Sequence, residues 1–139
     1  MKKIISLVLV SLLIVAALAG CGTKKSSGVK VIDIQLTEEE YAFGVDKNQP
    51  ELLEEVNKFI AKIKSDGTFE KILNNYFGDG TPQPVTSAEL DSGKDQLVVA
   101  TNAAFEPFEY MNGDKYYGID MEIDDMLAKN LGKEMVIRN

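Results

Sequence analysis

The apolar residues of this chain change their spacing along its length, and each change marks an element. Ile4 to Ala19 is a nearly unbroken apolar run behind Lys2 and Lys3. A basic start, a short apolar run and the small residues Ala19 and Gly20 at its end form the pattern of an export signal. The run has 16 residues, fewer than the roughly 20 that a membrane-spanning helix needs. Lys24 to Gly28 is a short polar tether. Val31 to Leu36 ends in alternation and predicts a strand, Thr37 to Glu40 an acidic turn, and Tyr41 to Val45 a second short strand.

From Pro50 the spacing becomes helical. Leu52, Leu53, Val56, Phe59, Ile60 and Ile63 share one face at intervals of three and four. Pro50 opens the helix where its missing N–H costs nothing, and Glu51, Glu54 and Glu55 favour the positive end of the dipole. Asp66-Gly67 stops it, with Gly67 suited to a left-handed cap. Thr68 is predicted to cap a second helix with Phe69, Ile72, Leu73 and Tyr76 as its stripe and Gly78 as its end. Gly78 to Asp95 is rich in Gly, Pro, Ser, Thr and Asp and predicts a linker, stiffened by Pro82 and Pro84. Gln96 to Thr101 predicts a strand buried on both faces. Phe108 to Met111 and Lys115 to Tyr117 predict a hairpin around Asn112-Gly113. Asp120 is predicted to cap a helix bearing Ile123, Met126, Leu127 and Leu131, followed at Gly132 by a strand from Glu134. Helices are thus expected near 50–65, 68–76 and 120–131, and strands near 41–45, 97–101 and 135–138. Strand, helix, strand implies an α/β fold with a parallel sheet and flanking helices. The two halves show no internal repeat.

Charge and composition narrow the function. Without residues 1–20, 119 residues remain, enough for one small domain or parts of two. They carry 13 basic and 22 acidic side chains, a balance of −9. Such a chain is a poor partner for nucleic acid, where binding rests on neutralising phosphates, and it is not drawn to an anionic lipid surface. Histidine is absent, which removes the usual neutral-pH acid and base and the commonest metal ligand. With no nucleophile–base pair and no metal cluster, neither an enzyme nor a metal or cofactor is expected. Glu106 and Glu109 are the nearest approach to an acid–base pair, and they read as solvated charges. Arginine occurs once, as Arg138, and cysteine once, as Cys21.

Leu18-Ala19-Gly20-Cys21 resembles a bacterial lipoprotein box. The resemblance implies cleavage before Cys21, acylation of its thiol (a lipoprotein bearing palmitate), and tethering to the outer face of the bacterial cell membrane. Two acyl chains hold where one is marginal, at about 0.8 kcal/mol per buried CH₂.

A second resemblance covers most of the rest. Gln96 to Tyr110, with Tyr117-Gly118-Ile119-Asp120-Met121-Glu122-Ile123, resembles the opening of family-3 extracellular solute-binding proteins of amino-acid ABC transporters. Thr37 to Val45, Pro50-Glu51-Leu52-Leu53, Asp66-Gly67-Thr68-Phe69 and Tyr76-Phe77-Gly78 resemble the end of the same family. The domain reading is therefore a signal at 1–20, a tether at 21–30, a tail-like segment at 31–78, a linker at 79–95 and a head-like segment at 96–139. The order is reversed and the family's middle is missing. A tandem fusion of two shortened receptors and a permutation that rebuilds part of lobe one both account for that order.

The resemblance implies an incomplete, type II periplasmic-binding-protein-like lobe and a polar amino acid as ligand. It also implies an ABC importer permease as partner, with the membrane reached through the lipid anchor. A free amino acid needs a cation for its carboxylate, a role that suits arginine. In the family that arginine, and the acid that meets the ammonium, lie in the missing middle, and Arg138 does not fall at the family position. Asn102, Phe105 and Glu109 remain as part of one ligand-binding wall by resemblance. Phe105 and Phe108 also suit packing around Pro107, Asn102 a turn, and Asp120 a helix cap. Two other readings are a tethered remnant or scaffold without ligand, and an exported enzyme of the same fold.

Overall fold

Just before Pro50 the chain turns on Asp46, whose carbonyl accepts the Gln49 N–H at 2.8 Å and whose Oδ1 accepts the Asn48 N–H at 2.8 Å. That turn launches helix α1 (Pro50–Ser65) with proline in its first turn. The structure, a computed structural model, describes residue 34 and residues 40–139. The predicted signal, tether and Cys21 lie outside the described residues, as does the predicted strand at 31–36 apart from an exposed bend at Ile34. The chain divides into two units, Met1–Ala42 and Phe43–Asn139, and the fold below is that of the second.

Helix α1 ends at Asp66, and Gly67, at φ 81°, carries the chain into α2 (Thr68–Phe77). Thr68 is not the cap that its hydroxyl suggests. It is already helical, Gly67 holds the cap position, and the Asp66 Oδ1 accepts the Thr68 N–H at 3.0 Å. An acidic acceptor at a helix start satisfies an orphan donor and favours the dipole.

The rest of the unit is β1 (Gln96–Ala100), β2 (Ala104–Phe105), β3 (Glu109–Asn112), β4 (Lys115–Tyr117), α3 (Ile119–Asn130) and β5 (Glu134–Arg138). β1 and β5 pair in parallel, from Gln96↔Glu134 to Ala100↔Arg138, with α3 as the crossover. β2, β3 and β4 form an antiparallel sheet in that order. Asn112 pairs with Lys115, so the hairpin turns on Gly113-Asp114, one residue later than expected.

Helices α1 and α2 and the β1–α3–β5 unit share one core. Val56, Phe59 and Ile63 of α1 and Ile72 of α2 cluster with Leu97 of β1, Ile123 and Leu127 of α3, and Met135 and Ile137 of β5. Each such side chain contributes roughly 1.5–3 kcal/mol by leaving water. This is a mixed α/β body with a parallel sheet and flanking helices, an incomplete lobe of the periplasmic-binding type.

Two expected elements differ. Residues 41–45 form no strand. Phe43 and Val45 still turn inward against the core, but a strand is made by its ladder, and no described segment lies alongside to supply one. β1 is not buried on both faces, since Val98 is 51% exposed, and among the described residues β1 pairs with β5 alone.

The segment after α2 connects the tail-like and head-like parts, and it is held along its path. Val85 is buried and bridges Tyr116, with N–H···O distances of 2.8 and 3.2 Å. The Ala88 N–H donates to Met135 O at 2.8 Å, and the Ser87 hydroxyl accepts the Ile137 N–H at 2.8 Å. These bonds satisfy the edge of β5 that faces away from β1. Composition misses this because it records few apolar residues and not where the single buried one lands.

Candidate binding site

In open parallel sheets, ligands gather beyond the carboxyl ends of the strands. Here those ends are Ala100 and Arg138. The chain leaves β1 through Thr101-Asn102-Ala103. The Thr101 N–H donates to Arg138 O at 2.9 Å, and the Ala103 N–H donates to the Asn139 Oδ1 at 2.9 Å. Asn139 thus pins the loop from the end of β5. Asn102 is exposed, and its carbonyl, not its side chain, accepts the Ala104 N–H at 2.6 Å. The side-chain cap expected of it does not form.

β2 then presents Phe105, which is 52% exposed. Its ring stacks on that of Phe108, with centroids 5.4 Å apart and planes 18° from parallel. Phe108 packs in turn against the core. Phe105 thus packs the turn and still shows a face to solvent. Glu109 lies directly across the ladder from Phe105, so the structure brings these two residues together on neighbouring strands. Tyr110 and Tyr117 stack across β3 and β4 at 5.8 Å.

The start of α3 docks on the β2–β3 turn. The Ile119 N–H donates to Pro107 O at 3.1 Å and the Asp120 N–H to Phe108 O at 3.0 Å. Gly118 occupies the cap position, so Asp120 sits within the first turn and is not the cap. Its carboxyl faces Glu109 instead. Burial first, then a hydrogen bond to Glu109 and that group's charge, push Asp120 well above the usual carboxylate range. Asp124, one turn on, is 4% exposed. Burial, with the charges of Asp120 and Glu109, raises it to about 7. The sequence signal for these two acids was their spacing of four on a helix, but nothing local placed Glu109 beside them.

These raised values set a pH dependence. Asp124 titrates near 3.8 when unperturbed and near 7 when folded, so between those values the folded chain holds the extra proton. The resulting stabilisation is full below about 4 and is lost as pH rises through about 7. Each tenfold gain in proton affinity is worth about 1.4 kcal/mol. With relaxation allowed for, about 2 kcal/mol should disappear between pH 5 and pH 8. Thermal melts at both values will show the folded chain melting lower at pH 8. Asp124→Asn should reduce that difference, with Asp120 keeping the remainder; an unchanged difference would place the titrating group elsewhere.

A fourth carboxyl group, that of Glu122, holds the site to the helices beneath. It accepts the Tyr76 O–H at 2.7 Å, the Asn75 Nδ2–H at 3.2 Å and the Gln83 N–H at 2.9 Å. The Tyr76 oxygen accepts the Gly118 N–H at 2.9 Å. Burial, then the bond to Glu122, drive the Tyr76 hydroxyl upward. Among the described residues, no group of three His, Cys, Asp or Glu is placed to hold a metal ion. Chemically, this end of the sheet offers a half-exposed aromatic ring, the exposed amide of Asn102 and carboxyl groups.

Comparison with known proteins adds the following. The model of the bacterial extracellular solute-binding proteins, family 3, matches residues 6–79, just over half of the chain. Over 49 residues the chain is 41% identical to the arginine-binding extracellular protein ArtP of Bacillus subtilis (strain 168). That stretch is 35% of this chain and 19% of the relative, so the chain spans about a fifth of the relative's length. No solved structure matches.

Proposed function

We propose that this chain, which belongs to the bacterial extracellular solute-binding proteins of family 3, contacts a free amino acid through one wall only. Family membership makes it an exported solute-binding protein, and a family of binders suggests a non-enzyme. The observation that carries the reading is the half-exposed Phe105 ring, backed by Phe108, beyond the carboxyl end of the parallel sheet. An aromatic face of this kind supports the apolar or guanidinium part of a side chain. Asn102, three residues earlier and exposed, supplies an amide, and Glu109 with Asp120 makes the neighbourhood attractive to a cation. The arginine-binding relative agrees with that chemistry. The physiological role is that of the substrate-binding component of an ABC importer for polar amino acids, anchored through acylated Cys21.

Affinity is expected to be poor. Ligand sites bury most of a small ligand's surface, about 70–90%, and one wall leaves much of it in water. Titrating the full chain with L-arginine by NMR should shift the Asn102, Phe105 and Glu109 amides, with a Kd of about 1 mM or weaker. Phe105→Ala should abolish the shifts. Silence at these amides with every free amino acid would remove the binding reading. Micromolar affinity in calorimetry would remove the one-wall reading.

A further inference from the structure

Asn112-Gly113 is the one place in the chain where glycine follows asparagine. An asparagine amide is open to attack by the backbone nitrogen of the next residue, and glycine there removes the side chain that would crowd the approach. Both residues are exposed at the tip of the β3–β4 hairpin. Among the described residues, the side-chain amide of Asn112 makes no hydrogen bond and the Gly113 N–H has no acceptor. The space where a Cβ of residue 113 would stand is empty to 4 Å.

At every other asparagine that a residue follows, the next N–H is engaged. That of Gln49 donates to Asp46 O at 2.8 Å, that of Ala103 to the Asn139 Oδ1 at 2.9 Å, and that of Leu131 to Leu127 O at 2.9 Å. After Asn57, Asn74 and Asn75 the N–H lies within α1 or α2 and is held in the helical ladder. A nitrogen so held cannot swing toward the preceding side chain without giving up its bond. Asn102 is the sharpest contrast, because it is exposed like Asn112 but Ala103 behind it is pinned.

We propose that Asn112 is a site of spontaneous deamidation, with water as the co-reactant. The Gly113 nitrogen gives up its proton to solvent base and bonds to Cγ of Asn112. The Cγ–Nδ2 bond breaks, and ammonia departs with a proton. The succinimide so formed takes up water. Opening at Cγ leaves aspartate, whereas opening at the main-chain carbonyl carbon leaves isoaspartate, with the chain now running through Cγ. Nothing is oxidised or reduced. Aspartate adds a charge across from Lys115, its partner in the ladder, and keeps the hairpin. Isoaspartate lengthens the main chain by a methylene, so Asn112↔Lys115 no longer continues the register of Met111↔Tyr116 and Tyr110↔Tyr117. Tyr116 also holds Val85, so this product loosens the anchor of the segment after α2. The reaction does not depend on ligand binding.

The test is mass spectrometry of digests from the full chain in mild detergent, kept in mildly alkaline buffer with and without urea. In the folded chain, conversion of amide to acid is expected first at Asn112, ahead of Asn102 by about tenfold or more. Urea should speed Asn102, whose neighbour it releases from Asn139, and change Asn112 by less than about threefold. Asn112→Gln, whose amide would need a larger ring, should abolish the early conversion. A folded chain that keeps Asn112 intact until urea is added overturns the proposal, as does equal conversion of Asn102 and Asn112 without urea. In the isoaspartyl fraction, the Tyr116 and Val85 amide signals should move in a proton–nitrogen correlation spectrum while those of α1 stay; unmoved Tyr116 and Val85 signals overturn the loss of register.

Discussion

Gly118→Ala is expected to leave no stable folded unit. Gly118 sits at φ 134° and ψ 160°, a region that is essentially open to glycine alone. A Cβ there would lie 2.0 Å from the carbonyl oxygen of Phe108, and backbone at that point cannot give way. It is fixed by the Ile119 and Asp120 N–H bonds to Pro107 and Phe108. Strain and collision together should cost more than about 4 kcal/mol, a large part of the roughly 5–15 kcal/mol that a domain possesses. Dispersion in a proton–nitrogen correlation spectrum is the measurement. Gly44→Ala is the control, because an added Cβ at Gly44 meets nothing within 4 Å. A dispersed spectrum and a melting temperature within a few degrees for Gly118→Ala would show that α3 does not dock on the β2–β3 turn as described.

Glu122→Ala is expected to cost about 3 kcal/mol or more. The carboxylate serves three donors, from Tyr76, Asn75 and Gln83, and each donor left unsatisfied in a buried place costs roughly 1–3 kcal/mol. Water entering the gap recovers part of this. Glu122→Gln should be milder, about 1 kcal/mol, since the amide oxygen still serves Tyr76 and Gln83 and the Asn75 amide can turn over to accept. Urea denaturation of the three proteins gives the comparison. Equal losses for alanine and glutamine would mean that size, not hydrogen bonding, is what the position needs.

The helices were legible because their information is local. Pro50, the apolar stripe from Leu52 to Ile63, and the stop at Asp66-Gly67 all act within a turn or two, and α1 follows them. β1 and β5 also showed in the sequence, to within a residue. What the sequence hid lay in pairings between distant segments. Thr68 and Asp120 both have capping side chains, yet glycine took the cap at each site, because the approach of the chain required a backbone that only glycine adopts freely. Residues 41–45 have a strand's alternation and no ladder. Val85 looked like an isolated apolar residue until Tyr116 came alongside. For the candidate wall, the resemblance supplied Asn102, Phe105 and Glu109. Neither spacing nor composition pointed to Asn139, whose amide pins the loop, because no rule of sequence links the last residue to one thirty-six earlier.

The bonds that run from Tyr76 and Asn75 to Glu122 and Gly118 span more than forty residues. During synthesis, α1 and α2 emerge complete while their apolar faces still await α3 and β5. For that interval the nascent chain is exposed to proteases and to chance association, and closure comes late and all at once. The order of the segments along the chain thus makes the core of the first two helices wait on residues 119–138.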